Sequence, residues 1–183
     1  MSALVADRFG IDTALERVPV SIAILSVSDT RTDETDASGR LLAERVATAG
    51  HRLHAKLILK DDRELLVAQL RAWNASGAVD VVLMTGGTGI TGRDNTPDAL
   101  LDVIEKEIPG FGEVLRQVSM KTVGLSAIQS RATAGVAGST ILFAIPGSTG
   151  ACRDAWDEIL VHQLDSRYRP CNLVEMLPRL AER

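Results

Sequence analysis

The hydrophobic residues of this chain fall into short continuous apolar runs that alternate with stretches of helical periodicity. Apolar runs over residues 20–27, 81–84 and 140–145 predict strands that are buried on both faces, as in a parallel sheet. Residues 51–59 alternate between apolar and polar positions and predict a further strand. Because strands that alternate with helices form doubly wound sheets, the pattern predicts an α/β fold.

Capping residues indicate where three helices between these strands begin and end. The first is expected to follow residues 38–39 and to stop at Gly50. Asp62 is expected to cap the second helix and Thr96 the third, with proline directly after Thr96 at the first helical position. Helical periodicity then predicts that the third helix continues through residues 104–107 until Pro109-Gly110 breaks it.

Two more helical stretches are predicted in the second half of the chain. Residues 111–120 are helical, and residues 126–132 are expected to form a short helix. Ser126 and Ser130 are four residues apart, so this short helix would present both hydroxyls on one face, with Arg131 beside it. That face is either part of a site or a solvated surface. The apolar stripe of the longer helix consists of Phe111, Val114, Leu115 and Val118.

Composition and charge narrow the class of protein. The net charge is −4 and no block of lysine and arginine is present, which argues against a nucleic-acid partner. Aromatic residues make up only 3% of the chain, so base-stacking platforms are not expected either. No apolar run is long enough to cross a membrane. The two cysteines, Cys152 and Cys171, match no metal-binding spacing and are expected to be reduced thiols in a cytoplasmic protein.

The length of the chain suits one domain spanning residues 1–183. Residues 1–19 are interpreted as an N-terminal arm, which either packs on another subunit or is frayed. Residues 165–183 form a C-terminal tail that is expected to wrap around the domain.

The segment 81–98 is the most informative part of the sequence. It reads as a buried strand, a glycine loop and the start of a helix. Such a loop lets backbone N–H groups approach an anion, since no Cβ is in the way. Asp94 stands just before the helix, where its carboxylate could hold a divalent cation. The alternative is a tight turn that only joins the strand to the helix.

Two familiar nucleotide-binding patterns nearly fit this loop, and neither is adopted. Gly87, Gly89 and Gly92 have the spacing of the dinucleotide fingerprint, but its third glycine should lie inside the helix, and this helix is expected to start later. The loop also begins like a Walker A motif. However, Arg93-Asp94 stands where lysine and serine or threonine are required.

Polar loops follow four of the predicted strands. Ligands of open α/β sheets bind beyond the carboxyl ends of the strands, so these loops are expected to share one edge. Glycines, hydroxyls and two loop aspartates are the groups that bind phosphate and Mg²⁺, and suit phosphoryl or nucleotidyl transfer. Ser148 can also cap the last helix and so offers a second anion site. The four loops are 28–31, the strand tip at Asp61, 85–94 and 146–148.

These residues resemble the MoaB/Mog family of molybdenum cofactor biosynthesis proteins, over nearly all of residues 18–177. The shared motifs are Thr85-Gly-Gly-Thr-Gly89, Arg93-Asp94-x-Thr96-Pro97-Asp98-Ala99 and Pro146-Gly147-Ser148. The MoaB branch is indicated by Val27-Ser-Asp-Thr-Arg31, residues 36–39, Phe111-Gly112-Glu113, Ser130-Arg131-Ala132-x-Ala134-Gly135 and Arg169-Pro170-Cys171-Asn172. The resemblance implies a three-layer α/β/α fold whose mostly parallel, doubly wound sheet contains one antiparallel strand.

The resemblance also implies an activity and its residues. Family members bind molybdopterin, and the active ones transfer AMP from ATP to its terminal phosphate with Mg²⁺. The family's two functional aspartates, with catalytic and metal-binding roles, fall on Asp94 and on Asp61, although Asp62 is adjacent to the latter. The expected substrate-binding residues are Asp29, Thr85, Gly86, Gly87, Thr88, Gly89, Ser126, Arg131, Pro146, Gly147 and Ser148.

The resemblance is compatible with two functions. The first is molybdopterin adenylyltransferase, and the second is a non-catalytic molybdopterin-binding protein of the same pathway. Retention of both aspartates favours the enzyme. The family further implies a homo-oligomer, either a trimer or a hexamer made of two trimers, and the apolar stripe and the arm are expected to supply its contacts.

Overall fold

A computed structural model describes residues 10–180 and residue 182. Residues 1–9 of the predicted arm lie outside the described residues. The strands are β1 (Gly10–Ile11), β2 (Ser21–Val27), β3 (Arg52–Leu59), β4 (Val81–Thr85), β5 (Lys106–Glu107), β6 (Thr133–Ala137), β7 (Thr140–Ile145) and β8 (Tyr168–Arg169). The helices are α1 (Ala37–Thr48), α2 (Arg63–Ser76), α3 (Thr96–Leu101), α4 (Pro109–Val123), α5 (Thr149–Ala155) and α6 (Val161–Gln163).

The main sheet has six strands in the order β3-β2-β4-β7-β6-β5. Strands β3, β2, β4 and β7 pair in parallel, whereas β6 pairs antiparallel with both β7 and β5. Strand β6 therefore runs against the other five. The predicted mostly parallel sheet with one antiparallel strand is confirmed.

Each central strand divides its side chains between two hydrophobic cores, one on each face of the sheet. In β2, Ile22 and Ile24 pack on one face, whereas Ala23 and Leu25 pack on the other. The first face is covered by α1, α4 and α5, and the second by α2 and α3. Because both faces are covered, the central strands are apolar throughout, and the predicted three-layer arrangement is confirmed.

Three sequence predictions in the middle of the chain are wrong. The third helix ends at Leu101, and residues 106–107, expected to be helical, form an edge strand instead. Residues 109–110 were expected to break a helix, but Pro109 begins α4, where its missing N–H costs no hydrogen bond. Residues 126–132 do not form one helix: a 3₁₀ helix spans Gly124–Gln129, and the chain then extends into β6.

The helix caps confirm some predicted residues and correct one. Asp62 accepts a hydrogen bond from the Leu65 amide at 3.1 Å and so caps α2. Asn95, not Thr96, occupies the N-cap position of α3, and Thr96 is the first helical residue. The Thr96 hydroxyl is fully buried and has no hydrogen-bond partner among the described residues.

The described part of the arm is anchored to the C-terminal tail of the same chain. Strand β1 pairs antiparallel with β8, and Arg17 forms an ion pair with Asp165 at 3.8 Å. Arg17 also lies 3.4 Å from Nε2 of His51, a buried histidine whose Nδ1 accepts the Val20 amide proton at 3.2 Å. His51 thus helps to fix the entry into β2.

Burial, followed by the charge of Arg17, lowers the pKa of His51 to about 4. The ordinary value is 6.5, so the unfolded chain binds a proton before the folded chain does. The stability that neutral His51 contributes is present above pH 6.5 and is lost as the pH falls towards 4. We expect the melting temperature to fall between pH 7 and pH 4.5 by several degrees more in the natural protein than in His51→Asn.

Asparagine is the matched control for this prediction because its side-chain oxygen can accept the Val20 proton but cannot titrate. Melting curves recorded by circular dichroism at several pH values would give the comparison. Parallel pH dependence in the two proteins would contradict the role of His51.

Candidate active site

The carboxyl ends of β2, β4 and β7 converge around Gly86. The Gly86 amide donates to the Ile145 carbonyl at 3.0 Å, and a Cβ on Gly147 would lie 3.0 Å from the Gly86 Cα. Gly86 has a φ of +106°, and a Cβ there would collide with the carbonyl oxygen of Val27. Glycine is therefore required at the point where the three strand ends meet.

The glycine loop, residues 85–94, is fastened at both ends. Thr85 is buried, and its hydroxyl lies 3.3 Å from the Pro146 carbonyl. The Gly87 carbonyl accepts the Thr96 amide proton at 3.0 Å, which joins the loop to the start of α3. Thr88, which is also buried, accepts the Arg131 amide proton on its carbonyl at 2.9 Å.

Asp94 is held in place by the loop itself. Its carboxylate accepts hydrogen bonds from the Thr91 amide at 2.8 Å and from the Thr91 hydroxyl at 2.7 Å. The hydroxyl bond, together with the backbone amides of Thr91 and Gly89, lowers the pKa of Asp94. A Cβ on Gly89 would lie 2.7 Å from the same carboxylate, so Asp94 lies directly against the loop. Asp94 is consequently a fixed negative charge at neutral pH.

Asp61 lies against the same loop from the tip of β3. Its carboxylate accepts the Asn95 amide proton at 3.0 Å, and a Cβ on Gly87 would collide with its second oxygen. Burial raises the pKa of Asp61, and the negative charges of Asp94 and Asp29 raise it further. The neighbouring Asp62 caps α2, so only Asp61 of the two faces the glycine loop.

Asp61 and Asp94 are the carboxylates of this site that could hold a magnesium ion together with substrate phosphates. Mg²⁺ in such sites takes one or two carboxylates, and phosphate oxygens and water complete its shell. Within residues 10–180 and 182, no group of three or more histidine, cysteine, aspartate or glutamate side chains could hold a metal ion, so a cation here would take its remaining ligands from phosphate oxygens and water. A cation at Asp61 and Asp94 would relieve the repulsion that raises the pKa of Asp61.

The third loop, residues 146–148, is held from the side of α1. The Gly147 carbonyl accepts hydrogen bonds from the Arg31 guanidinium at 2.7 Å and from the Ser38 hydroxyl at 2.9 Å. Ser148 accepts the Ala151 amide proton at 3.1 Å and caps α5, as predicted. A cavity of about 270 Å³ lies beside this loop, and Ser126, Ser130, Pro146 and Ser148 are among its lining residues.

Arg131 does not lie beside a helical face of Ser126 and Ser130, because the predicted helix over residues 126–132 is absent. Its guanidinium donates to the Gly89 carbonyl at 2.7 Å, to the Asp98 carboxylate at 3.0 Å and to the Asp94 carbonyl. Arg131 therefore braces the glycine loop against α3. Ser126 and Ser130 still lie near each other, because both line the same cavity.

Asp36 is a buried aspartate beside the site, and the sequence analysis did not assign it a role. Asp36 accepts hydrogen bonds from the Ser26 hydroxyl at 2.6 Å and the Gly39 amide at 2.9 Å, and lies 3.6 Å from the Arg31 guanidinium. Burial opposes its ionisation, but the hydrogen bonds from Ser26 and Gly39 and the charge of Lys56 together lower its pKa. Its position before a predicted helix was the available sequence signal, since aspartate is a common N-cap.

The chain is similar to a family of known proteins. Residues 23–166 match the family described as "Probable molybdopterin binding domain". Molybdenum cofactor biosynthesis protein B of Escherichia coli (strain K12) is 52% identical over 157 residues, which cover 86% of this chain and 92% of that protein. This chain belongs to the MoaB/Mog family. The protein of the same name from Bacillus subtilis (strain 168) is 43% identical over 146 residues, 79% of this chain and 86% of its own length.

Solved structures of MoaB/Mog proteins share the fold. A crystal structure of molybdenum cofactor biosynthesis protein B gives a TM-score of 0.82 at 39% identity and covers 92% of this chain and all of its own. The tungsten cofactor synthesizing protein MoaB from Pyrococcus furiosus gives a TM-score of 0.71 at 30% identity, over 90% of this chain and 98% of its own. The family membership predicted from the motifs is confirmed.

The loops predicted to share one edge of the sheet do lie together. Asp29 pairs with Arg93 of the glycine loop, Asp61 with Asn95, and Gly86 packs on Gly147. None of the helices in the described residues combines the length and the apolar character that crossing a membrane requires.

Proposed function

We propose that this protein acts in molybdenum cofactor biosynthesis as a Mg²⁺-dependent molybdopterin adenylyltransferase. The single observation that supports this most strongly is the meeting of Asp61 and Asp94 on one glycine loop, each against a different glycine. A loop that only joined a strand to a helix would have no need for two converging carboxylates, one of which is held at a raised pKa.

In the proposed reaction, a terminal phosphate oxygen of molybdopterin attacks the α-phosphorus of ATP. The bond between the α-phosphorus and the oxygen that bridges to the β-phosphorus breaks, and pyrophosphate leaves with that electron pair. The product is a pterin phosphate joined to AMP by a phosphoanhydride. Such a transfer depends mainly on positioning and on neutralising charge, which glycine-loop amides, hydroxyls and carboxylates can provide.

Each part of the candidate site has a role in this reaction. The amides of Gly87 and Thr88 bind the ATP phosphates, and Asp94 and Asp61 would hold Mg²⁺. When bound, Mg²⁺ supplies positive charge that offsets the charge building up on the departing pyrophosphate. The cavity beside Ser126 and Ser148 takes the pterin side of molybdopterin, since it adjoins the glycine loop through Pro146. Arg131 keeps the glycine loop in its binding conformation.

The test is an incubation of the purified protein with molybdopterin, ATP and Mg²⁺. We expect pyrophosphate to appear only when all three are present, in an amount that matches the adenylylated pterin found by mass spectrometry. If calorimetry shows that the protein binds molybdopterin but no pyrophosphate is released, the protein is a non-catalytic molybdopterin-binding protein and the proposal is wrong.

We also propose that the protein is a trimer or a hexamer. Phe111 and Leu115 of the predicted apolar stripe are buried within the chain's own core, so they are not a surplus surface. Val114 of the stripe is 45% exposed, but the most exposed large apolar side chains lie elsewhere: Leu125 and Ile128 of the 3₁₀ helix are 79% and 82% exposed. Two such side chains three residues apart favour a subunit contact there.

Light scattering is expected to give the mass of a hexamer, or of a trimer, for the natural protein. Leu125→Ser together with Ile128→Ser should produce smaller species, whereas Leu65→Ser, which changes an exposed leucine on α2, should not. A stable monomer or dimer of the natural protein would contradict the proposed assembly.

A further inference from the structure

Most arginines around the candidate site are committed to holding its loops. Arg31 donates to the Gly147 carbonyl and lies beside buried Asp36, and Arg131 donates to two carbonyls and a carboxylate. Arg116 donates to the carbonyls of Ser130 and Ala132. None of these guanidinium groups can turn to a ligand without releasing a backbone carbonyl that it holds.

Arg93 differs from them in both exposure and partner. Its side chain is 76% exposed, and the hydrogen bond that its guanidinium makes within the described residues goes to the carboxylate of Asp29. Asp29 lies on the loop after β2, and its own side chain is 32% exposed. An exposed ion pair of this kind contributes little to stability, so Arg93 can exchange its partner at small cost.

The position of this pair matters as much as its weakness. Arg93 directly precedes Asp94 in the glycine loop, and Asp29 is near enough for its charge to act on Asp61. The pair therefore joins two loops across the edge of the sheet where Asp61 and Asp94 lie. This edge carries three carboxylates, so a ligand with several phosphate charges needs a cation besides Mg²⁺.

We propose that Arg93 binds the polyphosphate group of the nucleotide, and that Asp29 is the counter-ion which Arg93 leaves when the nucleotide enters. The inference rests on the proposed function for the identity of the anion. A guanidinium group can donate two parallel hydrogen bonds to phosphate oxygens, which makes arginine better suited to this exchange than lysine. Asp29, assigned from the sequence to substrate binding, then acts on the nucleotide through Arg93.

Binding measurements on four variants test this exchange. Calorimetry would use ATP with Mg²⁺ and, separately, inorganic pyrophosphate with Mg²⁺. We expect Arg93→Gln to raise both dissociation constants by roughly tenfold or more, the scale of a charged hydrogen bond. Asp29→Asn should lower them severalfold because Arg93 no longer has a competing partner. The double variant should bind like Arg93→Gln alone.

Lys60→Gln is the matched control, since Lys60 is an exposed cation beside Asp61 in sequence. It should leave both dissociation constants unchanged. The double variant separates two roles of Asp29: if Asp29 only repels phosphate, Asp29→Asn would tighten binding equally with and without Arg93, and the exchange would be refuted. A loss of affinity in Lys60→Gln with none in Arg93→Gln would also refute it.

The outcomes separate this inference from the proposed function. If the natural protein binds both ligands and Arg93→Gln binds them equally well, the inference is wrong and the adenylyltransferase proposal stands. If pyrophosphate binding depends on Arg93 but no AMP is transferred, the inference holds and the proposed function fails. If the natural protein binds neither ligand, both fail.

Discussion

Replacing Asp94 by asparagine is expected to lower the rate of AMP transfer by about a hundredfold or more, while the protein stays folded. Asparagine keeps a side-chain oxygen that can accept the Thr91 hydrogen bonds, so the loop should keep its shape. The amide cannot replace the negative charge. Because the pKa of Asp94 is lowered, its carboxylate is ionised at neutral pH. The rate would be measured as pyrophosphate release at saturating ATP and molybdopterin.

Asp62→Asn is the control for this change. It also removes a carboxylate near the site, but Asp62 caps α2 and asparagine is an equally good cap. Its rate and melting temperature should match those of the natural protein. If Asp94→Asn is folded and fully active, Asp94 does not hold the metal.

Replacing Gly87 by valine is expected to abolish binding of ATP and of molybdopterin together. Gly87 has a φ of +61°, which a β-branched residue resists. The new Cβ would also collide with the Asp61 carboxylate and lie 2.6 Å from the Thr96 hydroxyl. The substitution therefore disturbs the loop backbone, one of the two aspartates and the start of α3 at once.

The matched control lies in the same loop. Gly92 has no atom within 4 Å of an added Cβ and no positive φ, so Gly92→Val should leave binding nearly unchanged. Both variants would be compared with the natural protein by calorimetry, and their folding by melting temperature. Unchanged affinity in Gly87→Val would mean that the glycine loop is only a turn.

The sequence predicted those parts of the fold that depend on local pattern. Apolar runs located β2, β4 and β7 because strands buried on both faces are apolar at every position. The convergence of the loops at one edge followed from the parallel order of those strands. The short strands β5 and β6 were not predicted. Their strand geometry depends on pairing with each other and, for β6, with β7.

In the candidate site, too, the residues set by local pattern were predicted and those set by long-range contacts were not. Asp94 was located by its place before the helix, whereas the choice between Asp61 and Asp62 was decided by the structure, in which Asp62 caps α2. The roles of Arg31 and Arg131 could not be predicted because each depends on a partner far along the chain. Arg131 was placed beside a helical face that does not exist, since the strand pairing of β6 begins at Thr133 and extends the preceding residues.

The central claim is that the glycine loop and its two aspartates direct the pterin phosphate to the α-phosphorus of ATP. The most direct measurement follows the phosphorus atoms of ATP labelled at either the α or the γ position, in the presence of molybdopterin and Mg²⁺. We predict that the α label enters the pterin product and that the γ label is recovered in pyrophosphate. A γ label in the pterin product, or no labelled pterin from a protein that binds both substrates, would contradict the claim.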